Sequence, residues 1–114
     1  MSSKRSTPIR PSTPQQLLDV LQAICPDFAV DLADFADADL GFHNIMMTFS
    51  WYPIAALTQD QLQALGAVFN QAVAEDDILE NAVSTCLLEH LRQIHAYEAL
   101  SPYLDERAKA KTQP

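Results

Sequence analysis

The sequence predicts an all-α fold: a compact bundle of five to six short antiparallel helices with no sheet. Three observations predict it. Only Gly41 and Gly66 interrupt 114 residues, while Ala, Leu and Gln, all good helix formers, are plentiful. Apolar residues recur at intervals of three and four, and no stretch alternates as a half-buried strand would. Finally, Thr13, Thr58 and Asp77 are each followed three positions later by Gln or Glu, the signature of a capping box at a helix start.

Length places the chain within one domain. Residues 1–12 are polar, basic and punctuated by proline, and read as a flexible tail. Residues 13–106 form the helical body, and 107–114 are expected to fray.

Thr13 caps the first helix, Pro14 suits its first position, and Leu17, Leu21 and Ile24 form its stripe. Pro26 ends it and opens a second, in which Phe28, Leu32 and Phe35 face Asp27, Asp31, Asp34 and Asp37 across the helix. Gly41 stops that helix. The third starts near Phe42 and has two faces. Phe42, Ile45, Met46 and Phe49 make one; Met47, Trp51 and Ile54 lie almost opposite, and Pro53 ends or kinks the segment. In a domain this small, the helix is expected to be sandwiched with both faces covered. Left exposed, Met47, Trp51 and Ile54 would form an anchor for a partner.

Thr58 caps the fourth helix, whose stripe is Leu62, Leu65, Phe69, Ala72 and Val73. Gly66 within it permits a close approach by another element. Asp77 caps the fifth, with Leu79, Val83, Cys86, Leu87, His90, Leu91 and Ile94 on one face and Asn81, Ser84, Thr85 and Leu88 behind. So few charges around its circumference predict a central helix. Ser101-Pro102 starts a short last helix through Tyr103 and Leu104.

All fifteen acidic residues lie between Pro11 and Glu106, where Arg92 is the only base; the other six bases sit in the two tails. A body of this sign repels phosphate backbones and anionic lipid, so neither nucleic acid nor a membrane is an expected partner, and a basic protein is. No signal-peptide core follows Lys4 and Arg5, and the N-terminus lacks the amphipathic stripe of a transit peptide. No apolar run spans a bilayer, so the chain is expected to stay in the cytoplasm. Cys25 and Cys86 show no framework spacing and read as buried thiols.

Chemistry has few candidates. Cys86, Glu89 and His90, at i, i+3 and i+4 on one predicted helix, could form a nucleophile pair or part of a metal site. Their place in the apolar stripe favours a core thiol and a core histidine instead. There is no His-x-x-x-His, Cys-x-x-Cys or Glu-x-x-His pair, so no metal or cofactor is expected. Asp37-x-Asp39-x-Gly41 fails as a calcium loop: its glycine comes one position early, and Thr48 stands at the twelfth position.

Phe42-His43-Asn44-Ile45-Met46, Leu65-Gly66 and the run Glu80 to Leu91 (ENAVSTCLLEHL) resemble a family of small uncharacterised bacterial proteins, a domain of unknown function, over Asp39 to Leu104. The resemblance implies an all-helical domain and no activity. It draws attention to the polar residues His43, Asn44, Glu80, Asn81, Thr85, Glu89 and His90, which could serve to fix helix packing.

The function these observations favour is a non-enzymatic protein-binding module of the bacterial cytoplasm, in its sharpest version immunity- or antitoxin-like against a basic partner. The alternatives are a small thiol- or metal-dependent enzyme on Cys86, Glu89 and His90, with His43 as an additional member, and a structural homo-oligomer joined through Met47, Trp51 and Ile54.

Overall fold

A computed structural model describes residues 10–30 and 41–112. Six α-helices follow in order: α1 (Pro14–Ile24), α2 (Phe42–Phe49), α3 (Gln59–Ala72), α4 (Ile78–Cys86), α5 (Tyr97–Leu100) and α6 (Glu106–Ala110), with 3₁₀ turns at Ile54–Ala56, Leu88–His90 and Ser101–Tyr103. No strand occurs among the described residues, so the all-α bundle stands.

All three caps form, but only one of the three predicted capping boxes closes. Thr58 accepts from the Gln61 amide and Gln61 returns the bond to the Thr58 amide, closing a full box. Thr13 accepts from the Gln16 amide, but the Gln16 side chain reaches back to Ser12, 2.8 Å from both its amide and its hydroxyl. Asp77 accepts from the Glu80 amide, while Glu80 itself turns inward to accept from the buried Ser84 hydroxyl at 2.6 Å. The Gln61 amide nitrogen also donates to the Ile24 carbonyl, tying the open end of α1 to the start of α3.

The core runs through every helix. Leu17, Leu21, Ile45, Met46, Phe49, Leu65, Phe69 and Leu79 are buried within it. At one end Phe28 meets Phe49 edge-on at 4.9 Å, and Phe49 stacks on Tyr52 at 5.4 Å, both favourable aromatic geometries. Gly66 of α3 lies against the turn carrying Tyr103, where an added Cβ would sit 2.6 Å from the Tyr103 Cβ. The close approach expected at this glycine is present.

Four expectations need correction. The fifth helix is not continuous to Ile94. It ends at Cys86, and Leu87 leaves helical geometry at φ −130°, ψ −62°. Thr85 weakens this end by turning its hydroxyl back onto the Asn81 carbonyl at 2.7 Å. The break lets Leu87, Leu88 and Leu91 all reach the core, whereas on an unbroken helix Leu88 would stand behind the other two.

The chain ends are not wholly tails. Arg10 donates to the carbonyls of Gln71 and Ala72 and pairs with Asp77 at 2.7 Å. It thereby closes the C-terminus of α3 and holds the cap of α4. The segment expected to fray instead carries α6, with Ala108 and Thr112 buried.

The expected second helix does not begin after Pro26: residues 27–30 are non-helical. Its remainder, with Leu32, Phe35 and the Asp37–Asp39 run, lies outside the described residues. The fourth correction concerns the outer side of α2 and is described with the candidate site.

Candidate functional site

The reactive-group constellation does not assemble. Cys86 is half-buried at the last residue of α4. Glu89 and His90 lie beyond the break, both exposed, so the predicted i, i+3, i+4 relation is lost. His90 is not a core histidine: its Nδ1 meets the Gln93 Oε1 at 2.8 Å. The nearest polar partner of the Cys86 sulfur is the Thr85 hydroxyl at 3.9 Å. Among the described residues no three His, Cys, Asp or Glu side chains are grouped so as to hold a metal ion. Cys25 is fully buried at the C-cap of α1, and desolvation pushes its thiol above the ordinary range. A thiol held protonated in this way is inert.

The conspicuous surface lies elsewhere. Trp51 is 86% exposed, Met47 57% and Ile78 67%, and these are the large exposed apolar side chains among the described residues. Trp51 and Met47 are therefore not sandwiched, the opposite of what a small domain suggests. Ile54 does not join them. Pro53 redirects the chain into a 3₁₀ turn, and Ile54 is 1% exposed on the core side.

His43 and Met47 stand one turn apart on α2, with Trp51 four residues on, just past the helix end. On α4, Ile78, Asn81 and Thr85 form the corresponding outward row (i, i+3, i+7). The Asn81 amide nitrogen lies 3.4 Å from the His43 Nε2, so the two rows adjoin. Ile78 shares a shallow hollow with Phe42, Pro11 and the Arg10–Asp77 pair.

Charge stands at the edges of this joint face, in the Arg10–Asp77 pair beside Ile78 and in Asp27 beside Trp51. No Asp, Glu, Lys or Arg occurs between Asp39 and Asp60, or between Glu80 and Glu89. Next to Trp51 is a second hollow of about 360 Å³, lined with Phe28, Thr48, Tyr52 and Pro53, with Asp27 at its rim. There the Tyr52 hydroxyl donates to Asp27, which pushes the phenol above its ordinary range. Tyr52 is thereby fixed as a rigid wall.

The polar residues of the ENAVSTCLLEHL run divide. Glu80 and Ser84 are packed inward, and Glu80 also meets Lys111 at 3.3 Å. Asn81 joins His43 across the helix pair. The Thr48 hydroxyl bonds the Asn44 carbonyl at 2.9 Å.

Sequence reasoning missed Ile78, although the signal was present. Leu79 and Val83 define the buried stripe, which leaves the adjacent Ile78 off it. It also missed a hollow of about 360 Å³ lined by Arg92, His95, Tyr97 and Glu98. Here the Arg92 guanidinium lies 3.9 Å over the Tyr97 ring and donates to the Thr112 carbonyl at 3.2 Å. His95 has φ +60°. The Ala96 amide bonds the Leu91 carbonyl at 2.9 Å and the His95 amide bonds Arg92 at 3.2 Å. This is a Schellman turn with histidine where glycine is usual.

Compared with protein-family models, curated proteins and solved structures, the chain matches none.

Proposed function

We propose that this chain is a non-enzymatic, protein-binding helical module. The observation that carries the reading is the outward exposure of Trp51 and Met47, in a stretch that holds no Asp, Glu, Lys or Arg between Asp39 and Asp60. Tryptophan and methionine are enriched at the centres of protein interfaces, where charge is depleted. The dispersal of Cys86, Glu89 and His90 leaves the thiol- or metal-enzyme alternative without a geometric basis among the described residues. The ENAVSTCLLEHL resemblance adds the expectation of a small all-helical bacterial domain; of its polar residues Glu80 and Asn81 bond within the helix packing, while Glu89 and His90 are exposed.

The partner in this reading is a basic protein met in the bacterial cytoplasm, as in an immunity or antitoxin pairing. What supports it is the net charge of −8, which accelerates encounter with a cationic surface while Trp51 and Met47 supply the contact. Capture by the immobilised chain from a bacterial lysate at low salt tests it. A basic protein released by salt, and not retained by a Trp51→Ala chain, is the expected result. Equal retention by Trp51→Ala, or no basic protein at all, overturns the reading.

A further inference from the structure

We infer that the hollow beside Trp51 is a seat for an organic cation, and that its occupant is an arginine side chain of the basic partner, its guanidinium lying on the Trp51 indole and pairing with the Asp27 carboxylate. The inference rests on the reading of the chain as a binder of a basic protein and names the group that enters. Its test requires no such protein.

Three observations select this occupant. First, the hollow of about 360 Å³ brings the rings of Phe28, Trp51 and Tyr52 together with the Asp27 carboxylate. The face of an aromatic ring attracts a cation through its quadrupole, and the carboxylate attracts one through its charge. Both repel an anion. A purely apolar group seated there would cover the carboxylate without pairing it, which is costly.

Second, the walls are set in advance. The Tyr52 hydroxyl donates to Asp27 Oδ1, which leaves Oδ2 for a newcomer. The Tyr52 ring stacks on Phe49 at 5.4 Å and stands at right angles to Phe28 at 5.9 Å. A site ordered before its ligand arrives loses less entropy on binding.

Third, the chain supplies no cation of its own to this place. No Lys or Arg occurs between Arg10 and Arg92. Arg10, Arg107 and Lys111 pair with Asp77, Asp76 and Glu80, and among the described residues no ion pair includes Asp27. Arginine suits the seat better than lysine. Its guanidinium is planar, weakly hydrated and stacks on rings, whereas an ammonium is a strongly hydrated point charge. Trp51, 86% exposed, offers the open ring that such a group needs.

The experiment is a titration of the isotopically labelled chain with N-acetyl-arginine amide at constant ionic strength, followed by NMR at the indole N–H of Trp51, the sole tryptophan. One exposed ion pair and one stacking contact hold a lone side chain weakly, with a dissociation constant on the order of millimolar. The Trp51 indole and the Asp27, Phe28 and Tyr52 amides should shift along one saturating curve. N-acetyl-lysine amide should bind more weakly, and N-acetyl-citrulline amide, planar but uncharged, should not bind. Asp27→Asn keeps an acceptor for Tyr52 and removes the charge, and should weaken arginine binding by about threefold or more. Trp51→Ala, at an exposed position, should abolish the binding with an unchanged helical spectrum.

No shift at Trp51 overturns the inference, and so does citrulline binding equal to arginine, or Asp27→Asn binding equal to the parent. Lysine binding as tight as arginine overturns the choice of arginine. None of these results touches the capture of a basic protein, which is decided by its own Trp51→Ala comparison. Arginine binding without any captured basic protein refutes that reading alone and leaves the cation seat standing.

Discussion

Gly66→Ala is a test of the packing of α3, because two effects of known size oppose each other there. In an exposed helix interior, replacing glycine with alanine stabilises by about 1 kcal/mol. Gly66 is eight residues into a fourteen-residue helix, so propensity alone predicts a gain. Its surroundings reverse the sign. The new Cβ would lie 2.6 Å from the Tyr103 Cβ, 2.7 Å from the Tyr103 carbonyl oxygen and 3.1 Å from its carbon. These atoms belong to the backbone or are fixed directly to it, so no rotamer change relieves the contact.

The Ser101–Tyr103 turn must retreat, and it is anchored to the same helix. The Asn70 side chain makes both ties: its Nδ2 donates to the Tyr103 carbonyl at 3.1 Å, and its Oδ1 accepts from the Asp105 amide at 2.9 Å. Overpacking costs about 1–3 kcal/mol, and stretching that bond adds about 1 kcal/mol. Set against the propensity gain, the net loss is about 1–3 kcal/mol. With an unfolding entropy of about 2.1 cal/mol/K per residue, 1 kcal/mol corresponds to about 4 °C in a chain of this length.

Thermal unfolding followed by circular dichroism should therefore show Gly66→Ala melting about 4–12 °C below the parent. Gly41→Ala, where nothing lies within 4 Å, should melt within about 2 °C of it. Asn70→Ala should be strongly non-additive with Gly66→Ala, since both act through the Tyr103 carbonyl. A Gly66→Ala chain as stable as the parent, or more so, would refute the close contact between α3 and the 101–103 turn.

Two further outcomes follow from local geometry. His95→Gly relieves a left-handed backbone that costs a non-glycine residue about 1 kcal/mol, so the melting temperature should rise by about 2–4 °C; a fall would show that the histidine side chain contributes more than its backbone costs. Arg10 and the Glu80 amide hold the Asp77 carboxyl below its usual range, so its contribution is fully present above the unfolded pKa of about 3.9 and is lost as pH falls through the lower folded value. Urea midpoints measured from neutral pH down to pH ~2.5 should fall less for Asp77→Asn, which keeps the cap but not the charge, than for the parent; the difference should be small and salt-sensitive because the carboxylate is 43% exposed, and parallel curves would refute the coupling.

How far the sequence could be read depended on whether each feature was local. The caps at Thr58 and Asp77 and the stripes of α1 and α3 are decided within a few residues, and all are realised. The Gly66 approach was legible because a glycine inside an apolar stripe has few other reasons to be there. The break at Leu87 was not legible. Val83, Cys86, Leu87, His90, Leu91 and Ile94 keep helical spacing, so periodicity extends the helix to Ile94. The core overrides this by taking in Leu87 and Leu88 together, and that demand comes from neighbours distant in sequence. The candidate constellation of Cys86, Glu89 and His90 existed only on the continuous helix and dissolved with it. The second face of α2 was read half correctly. Met47 and Trp51 do point away from Phe49, but whether anything covers them depends on how the other helices are arranged, and Pro53 turns Ile54 back into the core.

Charge follows the same logic and alters how the protein can use it. Fifteen acids and one base in the body, with bases at both ends, suggest an acidic globule trailing cationic tails. The fold brings part of those ends home. Arg10 meets Asp77, Arg107 meets Asp76 at 3.2 Å and Lys111 meets Glu80, so the acidic corner between α3 and α4 receives its counter-charges from the chain itself. That corner is thus poorly suited to recruit an external cation, and the remaining acids, Asp27 apart, act as a diffuse field more than as a specific contact. In the proposed reading, specific contact falls to the charge-free stretch around Met47 and Trp51. In that reading Trp51 and Met47 supply the adhesion, and the acidic field around them speeds the approach of a basic partner and makes it sensitive to salt.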